Sequence, residues 1–133
     1  MIDHVGYLVR DLEAGTELVT ESFAAEITRK VDRPQWQLFG YYVGDIEVFT
    51  FTDAALLDAH LGADVEGKLD HIAHAVDDIE DEMETLRSLG ATFCGPDLRE
   101  DVDEPFDLDG TLHVWTRPLS TQGLGLQLIE YRG

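Results

Sequence analysis

The segment Ile2-Asp-His-Val-Gly-Tyr-Leu-Val-Arg-Asp-Leu-Glu13 recurs 67 positions later as Leu69-Asp-His-Ile-Ala-His-Ala-Val-Asp-Asp-Ile-Glu80. Asp3, His4, Val9, Asp11 and Glu13 return as Asp70, His71, Val76, Asp78 and Glu80, and apolar residues answer apolar ones between them. A period this long, present in two copies, fits neither a solenoid nor a propeller. It describes one module duplicated inside one domain.

Residues 2–9 alternate as a strand does, and Asp11 can cap a following helix to about residue 24. Leu12, Leu18, Val19 and Phe23 are the candidates for that helix's buried side. Ala25–Val31 is a weak strand, Trp36–Val43 a firmer one, and Gly44-Asp45 turns the chain into a strand over Ile46–Phe51. The first module, about residues 1–52, is therefore β-α-β-β-β. A connector over 53–68 has a helical turn near Ala54–His60. The second module, 69–133, repeats the order: Asp77 or Asp78 caps a helix to about Leu89, then come strands at Ala91–Cys94, Leu112–Arg117 and Gly123–Tyr131. Between them, 95–110 is an acidic loop. Its Asp107-Leu-Asp-Gly110 lacks the spacing and distal glutamate of a calcium loop. Gly123-Leu-Gly125 is followed by a strand, which excludes a dinucleotide fingerprint.

The 28 acidic residues outnumber the 9 basic ones, for a net charge of −19. Such a surface repels phosphate backbones and anionic lipid, so no nucleic acid and no membrane is expected as partner. Adaptation to high salt, a halophilic habit, accounts for the charge without reference to any reaction. Cys94 is the single cysteine, so neither an intramolecular disulfide nor a cysteine-based zinc site is open. No apolar stretch reaches the ~18 residues of a membrane span, and the expected location is the cytoplasm.

The chemistry lies where the repeat places histidine. On a strand, His4 shares its face with Gly6, and His71 shares its face with Ala73 and Ala75, small neighbours that leave room. Each module also ends on a strand with an acid among apolar residues, Glu47 and Glu130, and a buried carboxylate demands a partner. Two His and two Glu at matching places form a candidate site for one divalent metal. His74 should face away from His71. His60 and His113 have no counterpart in the other module.

These modules, both Asp-His segments and the terminal Gly-Leu-Gly-Leu-Gln-Leu-Ile-Glu-Tyr131 together resemble the vicinal oxygen chelate superfamily over essentially the whole chain. That group includes glyoxalase I, methylmalonyl-CoA epimerase, extradiol dioxygenases and bleomycin-resistance proteins. The resemblance implies an α+β fold in which two βαβββ modules form a cupped, incomplete eight-stranded barrel. It implies one divalent ion (Ni, Co, Zn, Mn or Fe) held by His4, Glu47, His71 and Glu130, and a homodimer. The reaction it implies is that of a lyase or isomerase on a small oxygenated substrate, with proton transfer through a metal-stabilised enediolate and Glu130 or Glu47 as base. Arg117 is the candidate for a substrate carboxylate or phosphate, with Trp36, Tyr42, Phe49, Phe51 and Trp115 as candidate pocket lining.

Departures from the family patterns bear on which reaction it is. The epimerases carry an acid on the strand where this chain reads Gln35-Trp-Gln-Leu-Phe-Gly-Tyr-Tyr42, and His-Pro where it has Arg117-Pro118. They also usually have Gln at the position of Glu47, and the glutathione-binding Arg and Asn residues of the glyoxalases are not evident. The rival readings are a metal-free binding protein of the bleomycin-resistance kind and an Fe- or Mn-dependent dioxygenase. His4, His71 and Glu130 would also furnish the two His and one Glu of an extradiol dioxygenase.

Overall fold

The computed structural model describes residues 1–132. Two compact units emerge, His4–Asp70 and Met1–Asp3 with His71–Gly133, so the division falls inside two strands, Ile2–Val9 and Gly67–Ala75. Each unit contains one copy of the module.

The first module runs β1 (Ile2–Val9), α1 (Leu12–Phe23), β2 (Ile27–Arg33), β3 (Leu38–Val43) and β4 (Ile46–Phe51). Its strands lie in the order β2-β3-β4-β1, antiparallel except for β1 beside β4. Asp11 caps α1 by accepting the Ala14 N–H, which satisfies an amide the helix cannot pair itself. Val19 packs with Val9, Val43 and Val48 on one face of the sheet. Gly15 lets the helix approach there, because a Cβ at that position would lie 2.8 Å from the Val9 side chain. The stripe that meets the sheet therefore runs through Leu12, Gly15, Thr16 and Val19. Leu18 and Phe23, expected inside, are 57 % and 65 % exposed.

The connector holds a full helix, α2 (Ala54–Leu61), capped by Asp53. Its Leu56, Leu57 and Leu61 cover the other face of the sheet, against Leu8, Leu38, Phe49 and Phe51. Each such leucine contributes about 1.5–3 kcal/mol by leaving water.

The second module runs β5 (Gly67–Ala75), α3 (Ile79–Ser88), β6 (Phe93–Cys94), β7 (Phe106–Leu108), β8 (Thr111–Thr116) and β9 (Leu126–Glu130). The order is β5-β9-β8-β6, with β7 pairing β8. Asp78, not Asp77, caps α3. Ile79 and Met83 of α3 pack on Leu112, Val114 and Leu128. The acidic stretch is more ordered than its composition predicts: it contains β7, and Asp101 bridges to Cys94. Two four-stranded modules account for the expected strands, and β7 is an addition to them. Among the described residues, no helix is long and apolar enough to cross a membrane.

Candidate functional site

In the first unit, register decides which side chains meet. Gly6 of β1 stands opposite Glu47 of β4, and Glu47 stands opposite Tyr42 of β3. His4 and Glu47 are 2 % and 8 % exposed, and His4 Nε2 lies 3.7 Å from Glu47 Oε1. Burial makes a lone carboxylate expensive, and the histidine beside it offsets that cost. The Tyr42 hydroxyl lies 3.4 and 3.3 Å from His4 Nδ1 and Nε2, with the two rings edge to face at 5.1 Å. Outside Tyr42, the Arg29 guanidinium covers its ring at 4.0 Å.

In the second unit, His71 and Ala73 are buried on β5. Ala73, the counterpart of Gly6, stands opposite Gln127 of β9. The residue that matches Glu47 across the repeat is therefore Gln127, not Glu130. The acid of the terminal strand that resembles Glu47 in type is Glu130, and it lies three residues further on. The usable signal was alternation: on β9, Gln127 and Glu130 fall on opposite faces. Gln127 is 5 % exposed, and its Nε2 donates to His113 Nδ1 at 3.0 Å. Because Nε2 can only donate, this bond leaves the amide oxygen of Gln127 to face another group. His113 in turn stacks on Trp115 at 6.0 Å.

Glu130 serves α3 instead. One of its oxygens accepts the Ile79 N–H at 2.9 Å and the other accepts from Arg132 Nε at 3.1 Å. The amide of Ile79 first, then Arg132, hold its carboxyl below the ordinary carboxylate value.

Within the first unit, His4 and Glu47 bring an imidazole nitrogen and a carboxylate oxygen together at 3.7 Å, and on β5 of the second unit His71 is likewise buried. Two donors each ~2.1 Å from one ion are at most ~4.2 Å apart, so the spacing of His4 and Glu47 suits two ligands of one metal. Two imidazoles and a carboxylate suit a borderline divalent ion such as Zn, Ni or Co.

The other candidates are distributed differently from expectation. Tyr42 touches His4. Phe49 and Phe51 are packed into the core under α2, with Trp36 against them. Trp115 is buried beside His113, with Phe106 at 6.2 Å. Arg117 is engaged with the acidic stretch: Nε pairs with Asp101, and its other nitrogens donate to the carbonyls of Leu98 and Arg99. The Asp101 bond, ahead of the cost of burial, raises its pKa further. His74 contacts the Met1 amino group and carbonyl, as a residue facing away from His71 should. His60 bonds within α2, to the Leu56 carbonyl.

No protein-family model and no curated sequence matches the chain. Solved structures do. A methylmalonyl-CoA epimerase from Mycobacterium tuberculosis superposes with a TM-score of 0.79 at 16 % identity, covering 99 % of this chain and 88 % of the other. A selenomethionyl methylmalonyl-CoA epimerase gives 0.73 at 23 % identity, covering 99 % and 95 %. A variant Streptomyces coelicolor methylmalonyl-CoA epimerase in complex with 2-nitronate-propionyl-CoA gives 0.77 at 17 % identity, covering 100 % and 95 %. The structural neighbours are thus isomerases of the vicinal oxygen chelate superfamily, and this chain has their α+β fold.

Proposed function

We propose that the chain is a metal-dependent isomerase or lyase that moves a proton on a carbon next to a carbonyl. The observation that carries this is the buried His4–Glu47 pair at 3.7 Å, whose places on the strands recur in the second module as the buried His71 and Gln127. The fold shared with epimerases supports it.

In this reading His4, Glu47 and His71 hold the ion, and Gln127, at the register position matching Glu47, is the fourth donor through its amide oxygen. A bound divalent ion supplies Lewis acidity, which stabilises negative charge developing on substrate oxygens. Glu47 is the base: its carboxylate takes the proton while the C–H electron pair moves toward the carbonyl oxygen, and it returns the proton afterwards. Glu130, the other expected base, is left to its bonds with Ile79 and Arg132. Tyr42 holds the His4 ring. The small Gly6 and Ala73 beside the ligands leave space for a substrate. The active form is a homodimer in this proposal.

The test is elemental mass spectrometry on the purified protein in high salt. About one Ni, Co, Zn, Mn or Fe per chain, lost in His71→Ala, is the expected result. Absence of metal even after reconstitution refutes the reading and leaves the metal-free binding protein. Stoichiometric oxygen consumption would instead make the chain a dioxygenase.

A further inference from the structure

Nine basic residues serve a chain with 28 acids, yet three of the nine, Arg29, Lys30 and Arg33, occur on the seven-residue strand β2. Four of the five arginines elsewhere find carboxylates, Arg10 with Asp58, Arg87 with Glu84, Arg117 with Asp101 and Arg132 with Glu130, and Arg99 is the exception. The β2 cations make no such pair among the described residues. Arg29 and Arg33 share the face of Tyr42, with Arg29 over the Tyr42 ring, whereas Lys30 lies on the opposite face, 5.2 Å over the ring of Phe39; only Asp32 opposes them within the strand. Arg29 and Lys30 are exposed and Arg33 is half-buried, on the edge strand of its unit. In so acidic a chain, cations left without carboxylates are conspicuous, because each has acids to spare elsewhere.

Their placement ties them to the site. Arg29 stands opposite Tyr42 in the β2–β3 register, and Tyr42 reaches His4, which adjoins Glu47. A line of contacts within one unit thus runs from the candidate ligands out to β2. We propose that β2 holds the anionic end of the substrate and that this end is a phosphate group. The inference rests on the proposed site. A phosphate approaching a protein of net charge −19 is repelled over most of the surface, and a strand of three cations supplies the local attraction that capture needs. Guanidinium groups pair with phosphate oxygens in a two-pronged geometry, and the two guanidiniums on the Tyr42 face, Arg29 and Arg33, match a dianion better than the single charge of a carboxylate, while Lys30 adds only to the field from the opposite face. The anion-binding role expected of Arg117, which the acidic stretch already occupies, moves to Arg29 and its neighbours.

The experiment is a pair of titrations followed by amide chemical shifts on the intact protein with its metal, at constant ionic strength. Phenyl phosphate and benzoate are the probes, since they differ only in the anionic group. Phenyl phosphate should shift amides between Thr28 and Arg33, and Arg29→Gln/Lys30→Gln/Arg33→Gln should weaken it at least tenfold. Arg99→Gln, which removes one positive charge elsewhere, should weaken it less than twofold. Metal content and circular dichroism on the same samples show whether the triple variant is folded, and Arg29→Gln alone takes its place where it is not. Equal affinity in wild type and the β2 variant overturns the proposal, as do shifts confined to other strands. A loss as great for benzoate overturns the phosphate assignment and makes β2 a carboxylate site. Metal stoichiometry is read separately, so a failure of the metal site is not mistaken for a failure of β2.

Discussion

Gly40→Ala tests how tightly the strand that carries Glu47 is held. Gly40 on β3 stands opposite Phe49 on β4. An added Cβ would lie 2.2 Å from the Val48 carbonyl oxygen, 2.7 Å from Phe49 Cα and 2.8 Å from Phe49 Cβ. Ordinary contact needs about 3.4 Å or more, and two of the three obstacles are backbone, so a rotamer change cannot relieve them. β3 and β4 must separate by roughly an ångström at the place where Glu47 and Tyr42 are paired. Overpacking of this kind costs about 1–3 kcal/mol, and rigid obstacles put Gly40→Ala at the upper end. For a chain of this size the melting temperature falls by about 10 °C. Gly44→Ala is the control: it has φ +60° and nothing within 4 Å of an added Cβ. Only the left-handed backbone is penalised there, by about 1 kcal/mol. Differential scanning calorimetry with metal removed measures both. Metal affinity, measured by competition with a chelator, should fall tenfold or more in Gly40→Ala and stay near wild type in Gly44→Ala. If Gly40→Ala melts no lower than Gly44→Ala, the strands yield freely and the reasoning is wrong.

His113→Ala removes the acceptor that orients the Gln127 amide, so metal affinity should drop about 10–100-fold; an unchanged dissociation constant shows that the bond orients nothing useful. Glu130→Gln concerns stability, with a definite sign. Because the folded-state carboxyl lies below its ordinary value, its contribution is complete above the unfolded pKa and disappears as pH falls through the folded one. Urea midpoints of wild type and Glu130→Gln should therefore differ most near neutrality and converge in acid, and a gap that widens in acid contradicts the capping role. The net charge of −19 predicts that raising salt from 0.1 to 1 M, which shortens the screening length from ~10 to ~3 Å, raises the melting temperature, and a flat response removes self-repulsion as a factor.

The duplication made the order of elements readable in advance. His4 and His71 were found because the repeat is dense where they sit, and Ile46–Phe51 was bounded by a clear turn and an apolar run. That Gln127 is the register counterpart of Glu47 was not legible, for a physical reason. The shift between copies is 67 at β1 and β5 but grows to 80 between Glu47 and Gln127. Loops before β8 and β9 lengthen without disturbing the ladder, and only hydrogen-bond register records the net offset. Leu18 and Phe23 were placed inside α1 by hydrophobicity, which cannot sense how close the helix comes at Gly15. Arg117 was given to a substrate because its partner, Asp101, is 16 residues away across an irregular stretch.

Glu47 and Gln127 occupy the same place in two copies of one design, yet one is an acid and the other an amide. An amide cannot take up a proton in the way a carboxylate can. The duplicated halves are thus alike in shape and unlike in what they can do to a hydrogen atom. A difference in proton chemistry, which a perfect repeat would lack, enters the duplicated design at this one pair of positions.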